Sequence, residues 1–182
     1  MKKKTMTRIT LSFLAFFLTS SIILADNFPS SASYEVGFSP HGNSLNLVLK
    51  GIAKAQSSIL IAAYSFTSKP IASALLKAHK RGVQVEIVAD QKENRKAYSA
   101  VSFMANQGIP VRLNNHFQIL HDKFMIIDGQ HLETGSFNYT AAATNRNAEN
   151  VLLLLNVKPL ADQFTHEWKI LWNSGIDLKA AY

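Results

Sequence analysis

Residues 121–138 read His121-Asp122-Lys123-Phe-Met-Ile-Ile-Asp128-Gly129-Gln-His131-Leu-Glu133-Thr-Gly135-Ser136-Phe137-Asn138. His121 and Lys123 stand two apart in an apolar, strand-like run. Side chains at i and i+2 of a strand point to one face, so an imidazole and an ammonium are delivered to the same place. Thr-Gly-Ser-Phe-Asn repeats the device, with Ser136 and Asn138 again two apart. Between the two pairs, Asp128-Gly129 is a strong hairpin signal. A nucleophile or acid, a fixed positive charge and two neutral hydrogen-bond donors are what a phosphodiester requires when no metal is used.

Outward from this hairpin, apolar periodicity predicts strands at 34–38, 58–65, 83–89, 109–113 and 149–155, with hairpin arms at 123–127 and 130–134. Helices are predicted after Ser44, with Leu45, Val48, Leu49 and Ile52 on one face. Others follow Ser68-Lys69-Pro70, span 98–106, and span 159–172 with Leu160, Phe164, Trp168 and Leu171 inward. Arg81-Gly82 marks one helix end. Strands alternate with helices early and form hairpins late, which predicts an α/β fold with a mixed β-sheet sandwiched between helices.

The chain has 182 residues, 47% of them hydrophobic, and no cysteine. That suits one domain with a substantial core and excludes disulfide frameworks, thiol catalysis and cysteine-rich zinc sites. Lys2, Lys3, Lys4 and Arg8 precede an almost uncharged run from Ile9 to Leu24, and small residues follow. This reads as a signal peptide over 1–25, too short to be a comfortable membrane span, and implies a periplasmic or secreted protein. A Pro/Ser-rich linker is expected at 26–33 and the domain at 34–182. The full chain carries +7, but residues 1–25 hold four basic side chains and no acidic one, leaving a modest +3 on the remainder.

His-x-Lys-(x)4-Asp-(x)6-Gly-Ser-x-Asn is the signature of the phospholipase D superfamily, and His121, Lys123, Asp128, Gly135, Ser136 and Asn138 fill every position of it. The chain resembles the small, single-motif bacterial endonucleases of that superfamily. The resemblance implies two-step chemistry: one histidine attacks phosphorus to form a phosphohistidine, and a second protonates the leaving oxygen and then activates water. With one motif per chain, it also implies a homodimer in which His121 of both subunits shares one active site. Lys123, Ser136 and Asn138 are then expected to bind the phosphate, with Gly135 letting the backbone bend or approach closely. Glu149, which opens the strand after the motif where the resembling nucleases carry an equivalent acidic residue, is expected to orient His121 through its Nδ1–H. Asp128, the motif's third letter, sits in the predicted turn and reads as structural or supporting more than directly catalytic.

Among the other histidines, His131 is expected on the exposed side of the hairpin and His166 on the surface. His79 lies at a helix end, and His41 and His116 lie in loops. No HExxH pattern, carboxylate cluster or Cys/His pair is present, so no cofactor and no catalytic metal are expected. A nuclease acting on DNA, with RNA also open, is favoured by the minimal chain and by basic residues in or beside loops: Lys92, Arg95, Lys96, Arg112 and Arg146. A phospholipase D acting on lipid headgroups is the alternative, for which Phe66, Phe117 and Phe137 are candidate exposed aromatics. A catalytically inactive nucleic-acid-binding protein is the third reading.

Overall fold

A computed structural model describes residues 26–95 and 99–180. The expected signal peptide, Lys96 and Tyr98 lie outside the described residues. In chain order the elements are β1 (Ser33–Ser39), α1 (Ser44–Lys54), β2 (Ser58–Ala63), α2 (Lys69–Lys80), β3 (Gln84–Asp90), α3 (Gln91–Asn94) and α4 (Ala100–Asn106). They continue as β4 (Val111–Asn114), β5 (Lys123–Ile127), β6 (His131–Gly135), α5 (Ala141–Asn145), β7 (Glu149–Leu155), α6 (Lys158–Asn173) and β8 (Ile176–Asp177). The strands form one mixed sheet in the order β1-β7-β6-β5-β2-β3-β4-β8. β2, β3 and β4 run parallel, and the other neighbours are antiparallel. This is the predicted α/β sandwich.

Alternating residues feed two cores. Ile59 and Ile61 of β2, Ile87 of β3, Met125 and Ile127 of β5 and Leu153 of β7 pack with α1, α2 and α4 on one face. Ala62, Val88, Phe124, Ile126, Leu132 and Leu154 face the other way, against Ala161, Trp168 and Leu171 of α6. β5 is buried at every position because it is covered on both faces, which is why it reads as an unbroken apolar run. Trp168 also donates its indole N–H to the Ile61 carbonyl at 2.9 Å. A buried side chain of that size contributes about 1.5–3 kcal/mol by area alone, so α6 is fastened at mid-sheet.

Several local readings shift. Asn43, not Ser44, caps α1; Ser44 is the first helical residue, and its hydroxyl is buried without a partner among the described residues. Residues of the expected linker are tied to the fold. Ser33 already pairs with Leu155, Asn156 donates to the Ser31 carbonyl, and Gln163 donates to Asp26. The short α3, α5 and β8 have no counterpart among the predicted elements.

Candidate active site

The edge of the sheet at the C-terminal ends of the parallel strands carries the site. Strand pairing places Lys123 opposite Ala63, Ala63 level with Ala89, and Asp90 level with Asn114. His121, Asp122, Lys123, Ser136, Asn138 and Glu149 line one open cleft there, with Thr134, Gly135, Phe124 and Phe164 completing its wall. Both pairs meet in the cleft, but not by strand alternation: β5 begins at Lys123 and β6 ends at Gly135, so His121, Ser136 and Asn138 sit in the flanking loops, and Asp122 lines the cleft too.

Lys123 is only 7% exposed, yet it is the charged head of the cleft. Its ammonium donates to the His121 carbonyl and stands 5.1 Å from the Tyr64 ring centroid. Burial lowers its pKa, and the nearby Asp122 and Glu149 carboxylates oppose that shift. The His121 ring lies 4.6 Å from the same Tyr64 ring. Tyr64 thus supports both motif side chains, a role that nothing in its spacing announced. Burial, then the Glu93 and Asp90 charges, push its phenol pKa up, so it stays neutral beside the imidazole.

Ser136 and Glu149 are coupled. Ser136 Oγ donates to Glu149 Oε2 at 2.6 Å and accepts from the Asn150 N–H at 3.0 Å; Glu149 Oε1 accepts from Asn147 Nδ2 at 3.0 Å. Glu149 thus sits in the cleft, but no hydrogen bond joins it to His121 among the described residues, contrary to the orienting contact expected. Asn138 Oδ1 is buried with no hydrogen-bond partner among the described residues. Its amide is therefore uncommitted, and a half-turn exchanges the oxygen for the two-donor nitrogen. Gly135 is required by close approach: a Cβ there would stand 2.2 Å from the Asn150 carbonyl oxygen.

The loop bearing Asn138 is anchored from below. Tyr139 is fully buried, packs edge-on to Phe66 at 5.3 Å and accepts the Thr67 and Ser68 N–H groups on its carbonyl. Its hydroxyl donates to Glu133 Oε2 at 2.8 Å. Burial raises the Glu133 carboxyl to a pKa of about 8, against the smaller lowering by that hydrogen bond.

Asp128 is not part of this cluster. It lies at the opposite end of β5, about 17 Å away at ~3.4 Å per residue, in a turn where Asp128 and Gly129 both have positive φ. Its carboxylate accepts from the N–H groups of Gln56, Ser57 and Ser58 and from the Ser57 hydroxyl, at 2.8–3.1 Å. Burial opposes its ionisation, yet those donors hold its pKa below the ordinary carboxylate value. It clamps the hairpin turn to the start of β2. Asp128→Ala is accordingly expected to cost about 2–4 kcal/mol, seen as a lower Tm, while turnover per folded molecule changes less than about threefold. That stability is present above the unfolded carboxyl pKa and lost as pH falls through the folded one. A large loss of turnover at unchanged Tm would show a catalytic Asp128 instead.

The remaining candidates separate. Phe66 and Phe137 are core residues, whereas Phe117 is 39% exposed. Arg112 is committed to Asp177 at 2.7 Å, to the Trp172 carbonyl and to the Trp172 ring face, so it fastens β8 rather than facing a substrate. Lys92, Arg95 and Arg146 are exposed. His131 is half-buried, not outward-facing: its Nδ1 accepts from the Asn156 N–H, and burial lowers its pKa. His166 is exposed as expected. Neither His41 nor His116 lines the cleft of His121.

Residues 48–172 match the family model "Cardiolipin synthase, PLD-like domain". The fold superposes on Nuc from Salmonella typhimurium, described as a phospholipase D family member, with a TM-score of 0.80 and 44% identity over 82% of this chain and 99% of that one. A "Phospholipase D" of Rickettsia prowazekii is 34% identical over 139 residues, 76% of this chain and 67% of that protein's length. The mouse "Mitochondrial cardiolipin hydrolase" is 30% identical over 155 residues, 85% of this chain and 70% of its own. The chain belongs to the phospholipase D superfamily, as a single-motif phosphodiesterase similar in build to the superfamily's small bacterial members.

Proposed function

We propose that the protein is a metal-independent endonuclease that cleaves DNA, and RNA by the same chemistry, through a phosphohistidine. The observation that carries this reading is the convergence of His121, Lys123, Ser136 and Asn138 on one open cleft. His121 attacks phosphorus and the P–O bond to the leaving group breaks. His121 of the partner subunit donates a proton to the departing oxygen, then takes one from the water that hydrolyses the P–N bond. One imidazole cannot stand on both sides of phosphorus, so each chain needs a second copy. Lys123 and the Asn138 amide hold the non-bridging oxygens, with charge supplied where it develops, while Ser136, whose one O–H is given to Glu149, supports the loop. Glu149 fixes Ser136 and contributes a carboxylate to the cleft.

A surface beside the cleft supports the dimer. Tyr34, Val36 and Phe38 alternate along the edge strand β1 on one face and are 69%, 41% and 62% exposed. Pairing sets Val36 opposite Leu152, and Leu152 opposite the cleft residue Thr134. An uncovered apolar strip thus begins about two strand spacings, or ~10 Å, from the site. A second copy seated there brings its own His121 toward the first.

Among the described residues, no group of three His, Asp or Glu side chains is arranged to hold a metal. The test is plasmid DNA incubated with the protein in excess EDTA, with His121→Ala alongside. Degradation by the wild type alone is the expected result. Degradation that stops in EDTA, or persists in His121→Ala, rejects the mechanism. The names of the Rickettsia and mouse relatives favour a second reading, hydrolysis of phospholipid headgroups. Turnover of cardiolipin or phosphatidylcholine vesicles without turnover of DNA would establish it. Among the described residues no helix is long and apolar enough to cross a membrane.

A further inference from the structure

We infer that a second cleft on the same sheet edge, at Phe117 and Lys92, is a binding subsite for one unpaired nucleotide of a polynucleotide chain. The inference rests on the nuclease reading and adds a preference for single strands to it. Asp90, Gln91, Lys92, Asn115, Phe117 and Gln118 line this cleft of about 200 Å³, with Asn114 at its base.

Its position follows from strand register. Lys123 is the first residue of β5, and Asp90 and Asn114 end β3 and β4, two and three strands away on the same edge. At ~4.8 Å per strand the cleft lies about 10–14 Å from Lys123. That is a few nucleotides from the scissile phosphate, at ~3.4 Å or more per nucleotide along one strand.

Its chemistry matches the parts of a nucleotide. Phe117 offers an exposed aromatic face, with the His116 ring set perpendicular to it at 5.0 Å. Gln91, Asn115 and Gln118 carry side-chain amides that make no hydrogen bonds among the described residues. Donor and acceptor edges are therefore free for a base. Lys92 supplies one cation for a phosphate.

The platform is held rigidly. Residues 115–122 run between two pinned points. The His116 N–H donates to Asn114 Oδ1, and Asn114 Nδ2 reaches the Leu171 carbonyl and Ser174. The Leu120 N–H donates to Asp90 Oδ2, while Asp90 Oδ1 caps α3. Both oxygens of Asp90 are used in shaping the loop. An aromatic side chain exposed on a preorganised loop can stack on a base at little ordering cost. A base in a duplex is already stacked and cannot use it.

The test is fluorescence anisotropy of a labelled oligothymidylate and of a labelled duplex, both bound to the His121→Ala protein so that the probes survive. Adding Phe117→Ala is expected to weaken single-strand binding about 10-fold and to leave the duplex within about twofold. Phe117→Trp should restore single-strand binding. Lys92→Ala should weaken both probes and reduce the salt slope by about one. Equal losses on both probes with Phe117→Ala, or none on either, overturn the subsite. So does a Phe117→Ala defect that appears with cardiolipin vesicles and not with oligothymidylate. If the wild type cleaves no nucleic acid yet the selective single-strand loss is seen, the nuclease reading fails and the subsite stands.

Discussion

A heterodimer of one wild-type and one His121→Ala chain, isolated through two different affinity tags, is expected to be at least roughly 100-fold less active than the wild-type dimer. General acid or base groups contribute about 10²–10⁴-fold each, and in a shared site the missing imidazole removes either the nucleophile or the proton donor. If each subunit worked alone, the heterodimer would keep about half the wild-type rate. The two outcomes differ by well over an order of magnitude, so the experiment decides without precise kinetics. Gel filtration and Tm of the same sample guard against misfolding: His121 stands at the rim of the cleft, outside both cores, and its truncation leaves no buried cavity. Retention of half the rate by a folded heterodimer would sink the shared-site mechanism.

The fold was legible where side-chain period and burial agree. β5 and the strands 58–63 and 84–90 read as buried because both faces are covered, and Asp128-Gly129 read as a turn because two successive positive φ values suit that pair. The site was legible because His121-x-Lys123 leads into one arm of the hairpin and Ser136-x-Asn138 leaves the other, so pairing of the arms brings them together. What stayed hidden depends on contacts across the sequence. Tyr64 ends a strand as an ordinary aromatic, and only the placement of β5 beside β2 brings it under His121 and Lys123. The commitment of Arg112 to the C-terminal strand, and of Asp128 to three backbone N–H groups some 70 residues earlier, are likewise tertiary facts. The short α3 and α5 carry too few residues for a helical period, and the side-chain caps of Asp90 and Thr140 mark their starts. Glu133 alternates with Leu132 as a solvent-facing residue should, yet it points into the core.

That buried carboxyl leads to the second large effect. Glu133 is 1% exposed, paired with Met125 on one side and Leu153 on the other, and Tyr139 is the titratable group that faces it. With a folded pKa of about 8 against an ordinary 4.5, the folded protein keeps a proton that the unfolded chain has lost. Stability therefore declines as pH rises from the unfolded value toward the folded one, and it levels off once both states are ionised. At ~1.4 kcal/mol per pKa unit, the accumulated loss is on the order of 5 kcal/mol. Glu133→Gln keeps the size and a hydrogen-bond partner for Tyr139 but cannot ionise. It is expected to match the wild type near pH 4 and to exceed it in Tm by roughly 10 °C near pH 9, given ~2–4 °C per kcal/mol for a chain of this size. Parallel Tm curves for the two proteins across that range would show that Glu133 is charged or hydrated in the fold. The consequence reaches the cleft, since Tyr139 directly follows Asn138 and Glu133 lies two residues before Gly135. An uncompensated charge beneath that loop loosens the backbone that aims the Asn138 amide, so alkaline loss of turnover in the wild type should move to higher pH in Glu133→Gln. The same buried acid that fixes the loop at neutral pH thus sets an upper pH bound on the site it supports.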